Sequence, residues 1–206
     1  MALLETPRAR RRALRIGALI IGLTPLVGLV IAALSDGLGA NPVEEITHVT
    51  GKWALRFLVL SLTVTPLRRL TGWRMLTLER RTLGLFAFLY AALHLTTYLT
   101  LDLEFDWASL GEDIRKRPYI TVGFSTFCLL LTLASTSTRA AARRLGSRWK
   151  QLHRLVYLAG IGAVVHFFWL VKADTREPLI YGAIVAMLLS VRLWWALRLR
   201  RATAAG

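Results

Sequence analysis

Six long apolar stretches alternate with polar punctuation along the chain, at roughly Ile16–Leu34, Ile46–Leu67, Thr82–Leu101, Tyr119–Ser137, Leu152–Val171 and Leu179–Leu197. A helix needs about 20 apolar residues to cross the hydrocarbon of a bilayer, and each stretch is about that long. The pattern predicts an all-α membrane protein, a bundle of six transmembrane helices. The first stretch follows a basic segment, as the core of a secretory signal would, but its apolar run exceeds the usual 7–15 residues or so, which predicts a retained span. The longest connections, Leu67–Arg81 and Asp102–Pro118, are loop-sized and too short to form a soluble domain. The expected organisation is a basic N-terminus over residues 1–15, a six-helix domain over residues 16–197, and a tail over residues 198–206.

Composition and charge sharpen this picture. Of the 206 residues, 55% are apolar, above the roughly 45–50% of ordinary soluble domains. A net charge of +15 would by itself suit a nucleic-acid partner. Here, however, the basic residues lie between the apolar runs, so membrane lipid is the expected surrounding and no nucleic acid is implied. Short loops rich in Arg and Lys stay on the cytoplasmic side. One alternate set holds Arg8, Arg10, Arg11, Arg12 and Arg15; then Arg68, Arg69, Arg74, Arg80 and Arg81; then Arg139, Arg143, Arg144, Arg148 and Lys150; then Arg198, Arg200 and Arg201. The other set carries most of the acids, from Asp36 to Glu177. Both termini are therefore expected in the cytoplasm. Arg115, Lys116 and Arg117 are the exception, a basic run in an acid-rich outer loop that suits a partner or the membrane interface. The single cysteine, Cys128, sits inside an apolar run and reads as a small packing residue, and no nucleotide-binding loop is evident.

Ionisable side chains inside spans are costly and mark functional interiors, which directs attention to the histidines. His94 lies about 18 Å into the third stretch and His166 about 21 Å into the fifth, which runs the same way. Two imidazoles at one depth on different helices can ligate haem iron from both faces, with the cleft of a helix bundle taking the porphyrin. His153 lies about 20 Å nearer the cytoplasm. It either serves a second haem, for which no second histidine lies at its depth, or is an interfacial histidine contacting loop carbonyls. On a straight helix its ring would point about 140° away from that of His166. His48, Lys52 and Arg56 are spaced i, i+4, i+8 and share a helical face. Haem carries two propionate carboxylates, and this stripe offers cations for them.

The segments GLGANPVEEITHVTGKWALR, RRTLGLFAFLYAALHLTTYL, RPYITVGFS, LASTSTRAAARRLGSRWKQLHRLVYL and VVHFFWLVK resemble the MsrQ (YedZ) family over nearly the whole chain. That family lies within the wider ferric-reductase-like transmembrane proteins. The resemblance implies a bacterial inner-membrane, multi-pass subunit binding b-type haem, with FMN as a further cofactor. It also implies electron delivery to MsrP, a periplasmic molybdopterin reductase that repairs methionine sulfoxide. The implied donor is the quinone pool, as quinol, or a cytosolic flavin reductase. By motif, His94, His153 and His166 match the family's haem-associated positions. The related NADPH oxidases pair histidines on both the third and fifth helices; this chain keeps the fifth-helix pair and has one third-helix histidine. Two other readings stay open: a transmembrane ferric or oxygen reductase acting directly on a soluble substrate, and a non-redox transporter or scaffold whose intramembrane charges line a solute path.

Overall fold

The computed structural model describes residues 7–73 and 76–204. The side chains of Arg8, Arg10, Arg11, Arg74, Arg200 and Arg201, counted above among the basic segments, lie outside the described residues.

The described residues are helical in order: α1 (Pro7–Leu34), α2 (Pro42–Thr71), α3 (Leu76–Thr97) continued by a π-turn over Tyr98–Asp102, α4 (Trp107–Lys116), α5 (Pro118–Ser135), α6 (Arg139–Leu145), α7 (Ser147–Leu152), α8 (Leu155–Leu170) and α9 (Arg176–Ala204). Among the described residues, five segments are long and apolar enough to cross a membrane: Arg12–Leu34, Glu79–Asp102, Pro118–Ser135, Ser147–Leu170 and Arg176–Arg198. The second predicted span, inside α2, does not join them although α2 has 30 residues. Lys52, Arg56 and several threonines dilute its apolar character. The reason is its position: α2 carries Phe57, Leu58 and Leu62 in the core, so its environment is protein more than lipid.

The ends of α2 show how its limits are set. Asn41 caps it by accepting from the Glu44 N–H, Pro42 occupies the first turn, and Glu44 and Glu45 face the positive end of the helix dipole. At the other end Arg68 and Arg69 face the negative end, and Gly72, at φ 74°, closes the helix in the left-handed conformation that favours glycine.

The main pairings are α2 against α3 and α5 against α8, with α1 laid on α3 and α9 on α8 and α2. Between α2 and α3 the ring of Phe57 packs 5.3 Å from Phe86 and 5.4 Å from Tyr90. Tyr90, only 1% exposed, also repairs α1. Its hydroxyl donates to the Gly22 carbonyl at 2.8 Å and accepts from the Leu26 N–H at 3.0 Å. Those two groups would otherwise bond to each other across one helical turn, and Pro25 sits between them. Gly22 is needed for this approach, because a Cβ there would lie 2.2 Å from the Phe86 ring. Tyr90→Phe removes the hydroxyl that bridges them and, with the turn at Pro25 held open, is expected to cost about 1–3 kcal/mol. A thermal melt of the purified protein checks this, and an unchanged midpoint would show that α1 does not depend on the inserted hydroxyl.

The fifth predicted span is not one straight helix. The chain breaks at His153 and Arg154, between α7 and α8. With the chain broken there, the rings of His153 and His166 are not related by the roughly 140° rotation of a straight helix.

Candidate functional site

A cavity of about 290 Å³ opens between the α2–α3 pair and the α5–α8 pair. Leu55, Leu58, Phe127 and Leu130 give it apolar walls, and His94 and His166 both line it. Their ring centres are 6.1 Å apart with planes at 77°. Helices from opposite sides of the bundle thus bring together two residues far apart in sequence.

Each ring is held by the same device. Nδ1 of His94 lies 2.9 Å from the carbonyl oxygen of Thr47, and Nδ1 of His166 lies 2.7 Å from that of Tyr119. In both cases carbonyl and histidine are 47 residues apart in sequence. A carbonyl only accepts, so Nδ1 carries the proton and donates, which leaves the lone pair of a neutral imidazole on Nε2. One turn beyond each carbonyl stands a glycine that makes room for the ring. A Cβ on Gly51 would lie 3.0 Å from Nδ1 of His94, and one on Gly123 would lie 2.7 Å from Nδ1 of His166.

Polar groups gather at one mouth of the cavity, where His48, Lys52, Tyr98, Asp102 and Arg117 line it. Lys52 is paired with Glu177 at 2.7 Å. The amphipathic α4 lies beside this mouth, and its Leu110 reaches the cavity wall. The Tyr98 hydroxyl donates to Asp113 of α4 at 2.5 Å, and Asp113 also pairs with Arg117 at 3.1 Å. The Asp113 carboxylate pushes the Arg117 guanidinium further toward its charged form. Asp106 caps α4, and the Ser109 hydroxyl, then the Ser109 and Ala108 N–H groups, hold its carboxyl below the usual range.

The predicted stripe of cations divides. His48 and Lys52 stand at the mouth, whereas Arg56 is not among the residues lining the cavity: its Nε donates to the Tyr181 hydroxyl of α9 at 3.1 Å and its guanidinium lies over Trp53. Residues spaced by four drift about 40° per step around a helix, so the stripe has rotated by about 80° when it reaches Arg56. His153 lies apart from the cavity. Its ring stacks on Trp149 at 4.0 Å, and Nε2 is 3.3 Å from the Thr136 hydroxyl. Arg80 is close enough to act on it electrostatically.

Thr47, Gly51, Tyr119 and Gly123 were not singled out from the sequence. The signal for them is the recurrence of one spacing, a glycine and a helical carbonyl at matched distances before each histidine, which a search for internal repeats would find.

A family model described as "Ferric reductase like transmembrane component" matches residues 50–164, which include Gly51, His94 and Gly123 and end two residues before His166. The chain thus falls in the class of ferric-reductase-like multi-pass membrane proteins. It is 56% identical, over 170 residues, to the protein-methionine-sulfoxide reductase heme-binding subunit MsrQ of Xanthomonas euvesicatoria pv. vesicatoria (strain 85-10), covering 82% of this chain and 78% of that one. The same-named subunit of Herminiimonas arsenicoxydans is 51% identical over 180 residues, covering 86% and 83%. Within its class, then, the chain belongs to the MsrQ family. No solved structure matches it.

The residues present fit the group those names print. Two metal–nitrogen bonds of about 2 Å each, plus the reach from each nitrogen to its ring centre, amount to about 6 Å, against 6.1 Å between the two rings. Among the described residues no third His, Cys, Asp or Glu joins the pair, so the protein donor set is the two-imidazole set of a haem more than the four-ligand set of zinc.

Proposed function

We propose that this chain is a haem b electron-transfer subunit of the bacterial inner membrane, passing electrons to a periplasmic methionine sulfoxide reductase. The observation that carries this reading is the pair of imidazoles, fixed by backbone carbonyls, facing each other across one cavity. Haem, when bound, supplies one-electron chemistry at its iron. His94 and His166 would hold the metal through Nε2. Thr47 and Tyr119 fix tautomer and ring angle, and the apolar walls exclude water. Lys52, His48 and Arg117 stand where carboxylates at the mouth would need cations. Arg56 supports this rim from the α9 side through Tyr181. His153 belongs to a separate level and would serve a second haem only with a non-histidine partner.

The topology of this proposal has α2 as the sixth span and both termini in the cytoplasm, with residues 16–197 forming one domain. It rests on the asymmetry of Arg and Lys. The cavity mouth then faces the periplasm, beside α4. The partner is a molybdopterin reductase of the MsrP type, and the donor is quinol from the quinone pool or a cytosolic flavin reductase. FMN is a further cofactor by family membership. The test uses membrane vesicles of known orientation. Haem is reduced, purified periplasmic methionine sulfoxide reductase is added to one side, and reoxidation is followed by absorbance. Reoxidation is expected only with access to the periplasmic face, and to slow as salt rises, since rim charges act mainly on association rate. Drainage from the cytoplasmic face alone overturns the direction.

The family match to a ferric reductase component supports a second reading, direct reduction of ferric iron or oxygen at the same mouth. Reoxidation by ferric chelates but not by the reductase favours it. A purified protein without a haem spectrum would instead favour the transporter or scaffold.

A further inference from the structure

At the end of the bundle opposite the cavity mouth, a groove of about 480 Å³ runs between α2 and α9. Leu70 of α2 and Ser190, Val191, Trp194 and Trp195 of α9 wall it. Two arginines frame it. The Arg69 guanidinium lies 4.5 Å over the Trp195 ring, and that of Arg198 lies 4.0 Å over the Trp194 ring. Stacking on an indole uses the flat face of a guanidinium and leaves its N–H edge available to an oxyanion.

Neither arginine is in an ion pair among the described residues. Glu79 lies near the same end of the bundle, but both its carboxylate oxygens are buried and bonded to nothing. A further cation stands beside the groove. Arg192 donates to the carbonyls of Leu188 and Leu62, its Nε is buried without an acceptor, and Arg69 and Arg80 are close enough to repel it. Arg192 is half-buried and Arg69 and Arg198 are exposed, and positive charges gathered at a membrane surface favour an anion among them.

The neighbouring surface of α9 is apolar and outward-facing, with Leu193, Trp194 and Leu197 exposed. In a multi-pass membrane protein such a surface meets lipid. An occupant must therefore present an anion to the arginines and a hydrocarbon to the wall. We propose that this groove binds one anionic phospholipid, its phosphate held between Arg69 and Arg198 and an acyl chain laid along Leu70, Val191 and the two indoles. A soluble phosphate would leave the apolar wall uncovered, and a neutral quinone would leave the charges unbalanced. Basic pockets between membrane helices recognise anionic headgroups in this way. The site is independent of the haem reading.

The full chain is purified in neutral detergent, stripped of lipid, and titrated with phosphatidylglycerol or with phosphatidylcholine of the same acyl chains. Bound lipid is counted by native mass spectrometry. One phosphatidylglycerol is expected to bind in strong preference to phosphatidylcholine. Arg69→Gln with Arg198→Gln should lower that preference by about five-fold per arginine. Arg139→Gln with Arg143→Gln removes the same charge from exposed positions of α6 and should leave it unchanged. If the first pair fails to fold, Arg69→Lys with Arg198→Lys keeps the charge but loses the planar fork, and a smaller fall is expected. The proposal is overturned by equal binding of the two lipids, by a control pair that costs as much as the groove pair, by an undiminished preference in the lysine pair, or by displacement of the lipid with glycerol phosphate or a short-chain quinone.

Discussion

His94→Ala and His166→Ala are each expected to abolish the low-spin haem spectrum of the purified protein, and His48→Ala to keep the low-spin signature in the haem it retains. On the proposed reading His94 and His166 would each supply one of the two nitrogens that hold the metal, so removing either would leave a single ligand. The rings come from α3 and α8, and among the described residues no group of three or more His, Cys, Asp or Glu forms around them. His48 also lines the cavity, at its exposed mouth, where it is close enough to His94 to act on it electrostatically. The measurement is a visible spectrum of oxidised and reduced protein, with haem quantified per chain. A low-spin spectrum that survives either alanine would sink the assignment. His48 stands at the mouth, so His48→Ala can lower the haem retained, but loss of the low-spin signature in that retained haem would mean that the readout does not single out the facing pair.

Gly123→Ala is expected to have nearly as large an effect without touching a ligand, and a larger one than Gly51→Ala. The added Cβ at position 123 would stand 2.7 Å from Nδ1 and 2.8 Å from Cε1 of His166, closer than such atoms approach. The ring must turn, and turning it breaks the bond to the Tyr119 carbonyl that fixes its Nε2. Loss of such a supporting hydrogen bond typically costs about 10–100-fold in metal affinity. At position 51 the corresponding distance is 3.0 Å, which a shift of a few tenths of an ångström relieves. Haem occupancy and spin state of the two variants, compared at equal helix content, decide this. Wild-type behaviour in Gly123→Ala, or a stronger effect in Gly51→Ala, would refute the argument.

The order of these effects follows from facts of different origin. The sequence by itself determined that the chain is helical and membrane-bound, because the length and hydropathy of its apolar stretches depend on covalent structure and bilayer thickness alone. It also singled out His94 and His166, since helix rise converts position along a span into depth. Their meeting is tertiary: it requires α2–α3 and α5–α8 to close around one cavity, which no single span specifies.

Tertiary packing likewise decided which polar residues share that cavity. The i, i+4, i+8 spacing placed His48, Lys52 and Arg56 on one face, but the drift of that face turned Arg56 to Tyr181 of α9. The break before α8 set His153 on Trp149 and Thr136, where hydropathy had read one continuous span. Glycines are silent in a hydropathy pattern, so the roles of Gly51 and Gly123 emerged only once a neighbouring helix laid a ring against each. The composition of α2 is the reverse case. Its diluted apolar character is weak as a membrane signal because burial against α3, α8 and α9, rather than lipid, satisfies that helix.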